Sequence, residues 1–226
     1  MLFPPACAGC GKFGNRWCEI CQQTLIRLDG LVCEICGEPQ NNTKICKKCK
    51  ITRPPYKALK SWAVFQGPMR AALHKLKYGR DIGLGEALAL SLAKYVHTFD
   101  WHIDALVPVP LSRQRLSERG YNQVALIAEP LAAICQWNYI PGALQRIKHT
   151  HSQVGLNIQQ RQANVHNAFR AHSQFVLNKK ILLMDDVTTT GATLISASTA
   201  LLQAGAANVY ALTVARAASR SALNIV

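Results

Sequence analysis

Residues 181–194 have the sequence ILLMDDVTTTGATL, and the expected architecture of the chain follows from this segment. Its first four residues, Ile181 to Met184, are apolar without polar alternation, which predicts a strand buried on both faces, as in a parallel sheet. Two carboxylates, Asp185 and Asp186, stand at the carboxyl end of that strand. An apolar pattern at helical spacing resumes from Ala192 to Gln203. The segment therefore predicts a strand, a polar loop and a helix in succession.

The polar loop between this strand and this helix is predicted to bind an anion. Backbone N–H groups at the start of a helix lack intrahelical partners, and the helix dipole favours negative charge there. Gly191 allows the backbone to approach a ligand closely. Additional donors are the hydroxyls of Thr188, Thr189, Thr190 and Thr193. An ordinary strand-to-helix turn with an aspartate N-cap is the alternative interpretation.

The two carboxylates narrow the chemistry of the expected ligand. Asp185 and Asp186 would repel a phosphate in the loop unless they face another part of the ligand, such as ribose hydroxyls or a magnesium ion. A phosphorylated sugar meets both conditions. The Walker pattern GxxxxGK[ST] and the dinucleotide pattern GxGxxG are absent from this segment, which disfavours those nucleotide-binding folds.

The segment ILLMDDVTTTGAT closely resembles the 5-phosphoribosyl-1-pyrophosphate (PRPP) motif of type I phosphoribosyltransferases. The resemblance implies an α/β fold with a mainly parallel sheet, helices on both faces and the ligand at the carboxyl ends of the strands. In that family the paired acids meet the ribose 2′- and 3′-hydroxyls, the following loop holds the 5′-phosphate, and Mg²⁺ accompanies PRPP. The residues implied to bind PRPP are Asp185, Asp186, Val187, Thr188, Thr189, Thr190, Gly191, Ala192 and Thr193. Regulatory members keep this loop without the reaction, so no catalytic residue is assigned.

Composition sets the broad class of the protein. The chain has 226 residues, 49% of them hydrophobic, so it can form one or two domains with a sizeable core. Its formal net charge of +14 at pH 7 indicates an anionic partner. No stretch of about eighteen apolar residues occurs, and the segment MLFPPACAGCG lacks the basic and apolar regions of a secretory signal. We expect a cytoplasmic protein that is not itself a membrane protein.

Eight of the nine cysteines form four CxxC pairs in the first fifty residues, which predicts two structural Zn²⁺ sites of four cysteines each. The pairs are Cys7/Cys10, Cys18/Cys21, Cys33/Cys36 and Cys46/Cys49. Adjacent pairs would form two successive zinc ribbons, whereas alternate pairs would form a cross-braced module. The short separations within each half favour successive ribbons. A disulfide framework is disfavoured because no secretory signal is present.

Pro54 and Pro55 mark a predicted domain boundary. Residues 1–53 are predicted to form a double zinc-ribbon module, and residues 54–226 a phosphoribosyltransferase-like domain. A basic run surrounds the last cysteine pair and comprises Lys44, Lys47, Lys48, Lys50 and Arg53. These side chains are suited to contact the phosphates of a nucleic acid, but they also fit the solvated face of a purely structural module.

A helix that begins near Pro68 is predicted to carry a basic face with an aromatic residue beside it. Such a face suits a single nucleic-acid strand, since lysine and arginine bind phosphates and a tyrosine ring can stack on a base. Simple solubility is the alternative explanation. The candidate DNA-binding residues of this helix and of a later basic segment are Lys75, Lys77, Tyr78, Arg80, Arg115 and Arg119.

Two further segments resemble parts of the phosphoribosyltransferase site. After the predicted helix Gly83 to Val96 and the predicted strand Ile103 to Pro110, the sequence VPVPLSRQR resembles the loop that holds pyrophosphate. The resemblance assigns that role to Leu111, Ser112 and Arg113, and the guanidinium groups of Arg113 and Arg115 suit a diphosphate. The polar segment from Arg146 to Arg161 resembles the flexible loop that closes over PRPP.

The order of these motifs along the chain resembles the ComF/GntX family of competence and DNA-utilisation proteins. The resemblance rests on the four CxxC pairs, HKLKYGRD, VPVPLSRQRLSERGYNQ, RQANVHNAF and the PRPP motif, and it covers essentially the whole chain. It implies a cytoplasmic protein for natural transformation, handling incoming single-stranded DNA after it crosses the inner membrane. Proteins of the DNA-uptake machinery at that membrane are the implied partners.

Two functional hypotheses follow. The first is a DNA-handling factor whose basic surfaces bind single-stranded DNA and whose phosphoribosyltransferase-type site binds PRPP. The alternative is an active phosphoribosyltransferase that transfers phosphoribose from PRPP to an unidentified base or amine. In that reaction the enzyme would mainly position the reactants and neutralise the leaving group.

Overall fold

The computed structural model describes residues 4–28, 30–147 and 168–217, and a five-stranded sheet in which all neighbouring strands are parallel lies at its centre. The described strands are β1 Leu59–Val64, β2 Ala105–Pro108, β3 Asn138–Tyr139, β4 Leu144–Arg146, β5 Phe169–Ala171, β6 Lys180–Thr188 and β7 Asn208–Arg216. Their spatial order in the sheet is β1-β7-β6-β2-β3, so the strand that carries the two aspartates is central. Strands β4 and β5 form a separate antiparallel pair.

Helices cover both faces of the sheet, as predicted. They are α1 Glu19–Gln23, α2 Lys47–Ile51, α3 Gly67–Tyr78, α4 Gly83–Val96, α5 Arg113–Arg119, α6 Ala125–Cys135, α7 Ser173–Val176 and α8 Ala192–Gln203, with a short 3-10 helix at Pro141–Ala143. Leu182 and Met184 of β6 pack with α3, α4 and α6, whereas Ile181 and Leu183 pack with α7 and α8. The unbroken apolar run of β6 is explained by this burial on both faces. The predicted mainly parallel α/β sheet is confirmed.

Strand β6 is longer than the sequence predicts. The pattern predicts a polar loop after the apolar run, but the strand continues through Asp185 and Asp186 to Thr188. This extension forms because β7 is equally long and pairs with β6 up to Thr188 opposite Arg216. The loop before α8 is therefore confined to residues 189–191, which brings both carboxylates onto the rigid sheet.

The segment after β2 also differs from the prediction. A loop was expected around Leu111 to Arg115, but helix α5 begins at Arg113. The hydroxyl of Ser112 accepts a hydrogen bond from the Arg115 N–H at 3.3 Å, as an N-cap does. Helix α5 ends at Gly120, which adopts the left-handed conformation with φ of 78°.

The cysteine-rich module covers the free edge of the sheet at β1. Segments of this module pair with β1 through the Leu59 N–H, which donates to the Ile35 carbonyl, and the Val64 N–H, which donates to the Ile26 carbonyl, both at 2.8 Å. An exposed edge strand would offer unpaired backbone groups to other chains, so this cover protects it. The module is therefore packed against the sheet and shares its core.

Residues 148–161 of the segment predicted to close over PRPP lie outside the described residues, and so do residues 161–167 of the RQANVHNAF motif. The described part of that segment is Arg146 at the end of β4 and Ile147 after it. In the part of the chain that the structure describes, no helix combines the length and apolar character needed to cross a bilayer.

Candidate functional site

The first four cysteines converge on one point. The sulfur atoms of Cys7, Cys10, Cys18 and Cys21 all lie within 4.8 Å of one another. The Cys7–Cys21 and Cys10–Cys18 pairs are each 3.7 Å apart. Tetrahedral zinc with Zn–S bonds of about 2.3 Å requires sulfur atoms about 3.8 Å apart, so these residues fit Zn²⁺.

The second four cysteines form an equivalent cluster. The sulfur atoms of Cys33, Cys36, Cys46 and Cys49 also lie within 4.8 Å of one another, with Cys36 and Cys46 3.7 Å apart. Adjacent CxxC pairs thus share a site, as the short separations favoured, and alternate pairing is excluded by this geometry. Zn²⁺ bound at each cluster would supply structural cross-links.

Backbone N–H groups prepare the first cysteine of each cluster to bind metal as a thiolate. The N–H groups of Gly9 and Cys18 each donate to the Cys7 sulfur at 3.4 Å. Burial raises the pKa of Cys7, but these N–H donors and that of Cys10 outweigh it, and the pKa falls to about 6. The Cys46 N–H donates to Cys33 in the same way, at 3.4 Å.

A cavity of about 220 Å³ lies at the carboxyl ends of β2 and β6. Helix α3, the segment before α6 and the end of β4 complete its walls. Its lining residues are Lys77, Val109, Pro110, Leu111, Arg115, Arg119, Gln123, Arg146 and the continuous run Asp185 to Leu194. Open parallel sheets bind ligands at this edge, so the cavity occupies the position expected from the fold. Four cationic side chains and two carboxylates meet there.

Asp186 is held by side chains from two other elements. The Lys77 ammonium of α3 forms an ion pair with the Oδ2 atom of Asp186. The Gln123 side-chain amide donates a hydrogen bond to the same oxygen at 3.2 Å. Arg119 donates to the Gln123 Oε1 at 2.7 Å, and its guanidinium lies 5.2 Å from the centroid of the Tyr78 ring. A continuous polar chain therefore connects the carboxylate to α3 and α5.

The two neighbouring carboxyl groups have opposite pKa shifts. Burial and the adjacent Asp186 carboxylate raise the pKa of Asp185 from 3.8 to about 8. Burial also raises the pKa of Asp186, but the Lys77 ammonium and the Gln123 amide outweigh it, and the net pKa is lowered. Asp186 is therefore the ionised member of the pair, and Asp185 retains a proton that a ligand or a metal ion can displace.

The loop before α8 has the features of an anion site. Gly191 has a φ of 77°, in the left-handed region that favours glycine, and it directly precedes the first helical residue. The Thr188 side chain is 3% exposed, and its hydroxyl oxygen has no hydrogen-bond partner among the described residues. A buried hydroxyl without a partner is costly unless a ligand satisfies it. The Ala192 N–H donates to the Thr190 hydroxyl oxygen at 3.4 Å, and the next two residues of the first turn of α8, Thr193 and Leu194, line the same cavity.

Most residues predicted for this site line the cavity. All nine residues from Asp185 to Thr193 do so, together with Leu111. Ser112 and Arg113 do not, because Ser112 caps α5 and Arg113 is exposed on its first turn. Arg115 lies two residues after Arg113 in α5 and lines the cavity in their place. The pyrophosphate role of Leu111, Ser112 and Arg113 stays a prediction.

The predicted DNA-binding residues divide into two groups. Lys77, Arg115 and Arg119 line the cavity, and Lys77 is occupied by Asp186. Lys75 lies 3.6 Å from the Asp81 carboxylate. Tyr78 and Arg80 are exposed on the surface. This prediction for a DNA-binding face is neither confirmed nor contradicted by their placement.

Two polar cavity residues, Gln123 and Arg146, were not assigned to any site from the sequence. Gln123 was quoted only as part of the VPVPLSRQRLSERGYNQ segment, and it is buried against Asp186. Arg146 was named only as the beginning of a polar segment, and it lines the cavity. Burial and the nearby Arg115 lower the pKa of Arg146, which shows how closely the cationic groups are gathered. The polar sequence RGYNQ, which ends at Gln123, is the sequence feature that could have indicated a site residue here.

The two cysteine clusters and the central parallel sheet define an α/β protein with an N-terminal double zinc ribbon. Residues 1–50 match the family model of the double zinc ribbon domain. The chain is 33% identical over 200 residues to the DNA utilization protein YhgH of Escherichia coli K12, covering 85% of this chain and 86% of that protein. It therefore belongs to the family of YhgH and of the competence protein ComFC.

Two further relatives are similar over most of the chain, and one solved structure is similar over part of it. The competence protein ComFC of Bacillus subtilis is 30% identical over 225 residues, with 91% of this chain and 86% of that protein covered. The competence protein F of Haemophilus influenzae is 30% identical over 216 residues, with 90% and 91% covered. An adenine phosphoribosyltransferase from Thermoanaerobacter pseudethanolicus is 14% identical with a TM-score of 0.39, covering 65% of this chain and 85% of that one.

Proposed function

We propose that this protein handles single-stranded DNA in the cytoplasm during DNA uptake or use, and that its strand-end cavity binds PRPP with Mg²⁺. The competence and DNA-utilisation names of its relatives support the first part. The net charge of +14 supports an anionic polymer as partner. The cavity supports the second part.

The PRPP proposal rests on one observation. The loop Thr189 to Gly191, which we call the anion loop, lines the same cavity as two carboxylates and the buried Thr188 hydroxyl that has no hydrogen-bond partner among the described residues. The Thr188 hydroxyl and the start of α8 suit a phosphate, whereas Asp185 and Asp186 suit neutral hydroxyls or a cation. A ligand with a phosphate at one end and sugar hydroxyls beside it satisfies both. Arg115 and Arg119, which also line the cavity, suit a second, diphosphate group.

Magnesium fits the donor set of this cavity. Mg²⁺ is usually held by one or two carboxylates together with the phosphates of a substrate, and Asp185 has a carboxyl group that is not ion-paired among the described residues. When bound, the ion would neutralise phosphate charge. The protein side chains position the ligand: Lys77 and Gln123 fix Asp186, and the loop holds the phosphate.

The binding proposal can be tested by calorimetric titration of the zinc-loaded protein with PRPP and Mg²⁺. The wild type is expected to bind in the micromolar range, and the Asp185→Asn/Asp186→Asn variant is expected to bind at least about tenfold more weakly. A matched control is Asp100→Asn/Glu129→Gln, which removes two exposed carboxylates outside the cavity. Absence of binding by the wild type would overturn the PRPP proposal.

The DNA proposal predicts binding of a single strand that weakens steeply as salt increases. Each phosphate contacted by lysine or arginine contributes about 0.7 to the slope of log K against log salt concentration for single strands. Fluorescence anisotropy of a labelled oligothymidylate over a range of salt concentrations measures this slope. Binding that is absent or insensitive to salt would overturn the DNA proposal and leave the PRPP titration unaffected.

A second candidate function, transfer of phosphoribose from PRPP to a base or amine, is favoured by the cationic wall of the cavity. Arg115 and Arg119 together could neutralise a departing pyrophosphate. The observable product is pyrophosphate, which a coupled enzymatic assay detects. Release above background with a nucleobase or amine would establish turnover, and no release with any of them would leave ligand binding as the function of the cavity.

Location and partners follow from the same proposal. A DNA-handling factor would act on the cytoplasmic side of the inner membrane, next to proteins of the DNA-uptake machinery. Cross-linking in competent cells, followed by purification of the protein, is expected to recover such proteins only while DNA is being taken up. Recovery that does not depend on DNA uptake would contradict this placement.

A further inference from the structure

A second and larger cavity lies between the second zinc ribbon and the anion loop. Its volume is about 1080 Å³, at the upper end of the range for small-molecule pockets. We call it the ribbon cleft. One wall is formed by residues 36–56 of the second ribbon and the segment after it, and the other by Thr189 to Gly191 with Ile195 and Arg216.

The anion loop contributes to the lining of both the ribbon cleft and the strand-end cavity. Thr189, Thr190 and Gly191 line both cavities. A phosphate bound at this loop therefore has space on both sides. A phosphate monoester has a substituent on one side only and would fill one cavity. A phosphodiester has substituents on both sides and can extend into both cavities at once.

The charges of the ribbon cleft favour a polyanion. Lys47, Lys48, Lys50 and Arg53 line it and are exposed, and no carboxylate of the described residues lies within ion-pair distance of them. The acidic Glu38 in the same wall is neutralised by Arg216 at 2.8 Å. The cationic groups of the cleft are therefore available to several phosphates at successive positions along a strand.

The uncharged surface of the ribbon cleft suits nucleobases. Ile51 is 85% exposed beside Pro54 and Pro55, which offers an apolar surface to the face of a base. Asn41 and Asn42 are exposed on the same ribbon, and side-chain amides hydrogen bond to base edges. Phosphate and base contacts are thus both present within one cleft.

We propose that the ribbon cleft is the binding path of a single-stranded nucleic acid, and that one phosphodiester of the strand lies on the loop Thr189 to Gly191 shared with the strand-end cavity. This inference rests on the proposed function, since it assumes that the protein binds single-stranded DNA. It adds the location of the strand and assigns the second zinc ribbon to DNA binding.

The test compares a cleft variant, Lys47→Ala/Lys48→Ala/Lys50→Ala, with a charge-matched control, Lys12→Ala/Lys94→Ala/Lys180→Ala. The control lysines are exposed and lie outside the ribbon cleft. Binding of a 5′-phosphorylated, fluorescent twelve-residue oligothymidylate is measured by anisotropy over a range of salt concentrations. Zinc content and circular dichroism verify that all three proteins are folded.

The cleft variant is expected to bind the oligonucleotide at least about tenfold more weakly than the wild type at low salt, and its salt slope is expected to be smaller by about 2. The control variant is expected to stay within about twofold of the wild type. Titration with Mg²⁺ and PRPP is expected to give the same affinity for all three proteins, because a monoester fills only the strand-end cavity.

Three results would overturn the inference, and they are distinguishable. Equal weakening of DNA binding in both variants would show that only net charge matters. Equal weakening of PRPP and oligonucleotide binding in the cleft variant would show that its lysines serve the strand-end cavity. Absence of oligonucleotide binding by the wild type would overturn this inference together with the DNA part of the proposed function.

Discussion

Each zinc ribbon brings two CxxC pairs into one cluster whose four sulfur atoms lie within 4.8 Å of one another, but the two ribbons support different halves of the strand-end cavity. The first ribbon contacts helix α3, where the Lys75 ammonium donates to the Ala6 carbonyl at 3.4 Å. Two residues further along α3, Lys77 reaches Asp186. The first ribbon thus supports the acidic half of the cavity.

The second ribbon contacts the end of β7 and the anion loop instead. Arg216 of β7 donates to Glu38 at 2.8 Å and also contacts the Cys36 carbonyl. Arg216 lies opposite Thr188 in the sheet, one residue before the loop. The second ribbon thus supports the half of the cavity that contains the loop before α8. Two equal local motifs therefore acquire different roles from the surface against which each one packs.

Removal of zinc ligands from one ribbon at a time is expected to have the largest effect on the structure and to show whether the two ribbons act as separate supports. Cys18→Ser/Cys21→Ser and Cys46→Ser/Cys49→Ser are each expected to lower the zinc content from two ions to one. Structural zinc contributes about 10–16 kcal/mol, comparable with the whole stability of a domain, so the affected ribbon should unfold. The first variant should lose the near-ultraviolet signal of the Trp17–Trp62 pair, whose centroids are 6.5 Å apart.

The second-ribbon variant is expected to keep that tryptophan signal and to lose oligonucleotide binding. Metal analysis, near-ultraviolet circular dichroism and anisotropy measure the three quantities on the same samples. If both variants lost the tryptophan signal equally, the two ribbons would not be independent supports, and the comparison would be wrong.

The next largest difference is expected in the free energy of unfolding, when one apolar residue of each ribbon is replaced by alanine. Trp17 is 7% exposed and packs in the main core, whereas Ile51 in the second ribbon is 85% exposed. Trp17→Ala is expected to lower the free energy of unfolding by about 3–5 kcal/mol. Ile51→Ala, as its counterpart, should change it by less than about 0.5 kcal/mol. Urea denaturation measures both, and similar losses would contradict the assigned packing.

Loss of the ion pair between Arg216 of the sheet and Glu38 of the second ribbon is expected to lower the stability by a smaller amount. Arg216 is 4% exposed, and Arg216→Gln removes its ion pair with Glu38. The expected loss of stability is about 2 kcal/mol, since hydrogen bonds to charged groups contribute about 1.5–3 kcal/mol. The exposed Arg70→Gln of α3 is the control and should be neutral. A neutral Arg216 variant would show that this contact does not hold the ribbon.

The stability of the protein should show a pH dependence that arises from Asp185 in the acidic half of the cavity. The folded protein keeps the proton of Asp185 up to about pH 8, whereas the unfolded chain loses it near 3.8. The folded state therefore binds more protons between these values, and stability falls as pH rises through this window, by at most about 1.4 kcal/mol per pH unit.

Asp185→Asn removes this dependence. The free energy of unfolding of the variant minus that of the wild type should therefore increase between about pH 6 and pH 8. Urea denaturation at several pH values in that range, where the zinc sites stay loaded, provides the measurement. Asp100→Asn, at an exposed carboxyl group, should parallel the wild type at every pH. A constant difference between Asp185→Asn and the wild type would contradict the raised pKa.

Much of the fold was predictable because its signals are local. The bounds of α4 at Gly83–Val96 and of α8 at Ala192–Gln203 are as predicted, since each is set by apolar spacing and flanking residues. Both cysteine clusters also follow from spacing within about fifteen residues. The extension of β6 to Thr188 was missed because it depends on the length of its neighbour β7.

The cavity was only partly predictable for the same reason. The run from Asp185 to Thr193 was recognisable as one continuous motif. Lys77 and Gln123 come from segments that lie more than sixty residues away in the sequence, and only the packing of α3 and α6 brings them to Asp186. The amphipathic pattern of α3 placed Lys77 on a polar face but did not show that this face meets a carboxylate.

The sequence by itself determined the residue types of this protein's parts: four cysteines for each predicted zinc site, a polar glycine-containing loop after a buried strand, and a large positive charge. These properties depend on residue types at short separations, which the chain specifies locally. The tertiary structure alone decided that Lys77 neutralises Asp186 and that the second ribbon forms a cleft with the anion loop. Such juxtapositions arise only when distant segments share a core, because local spacing contains no information about which surfaces will meet.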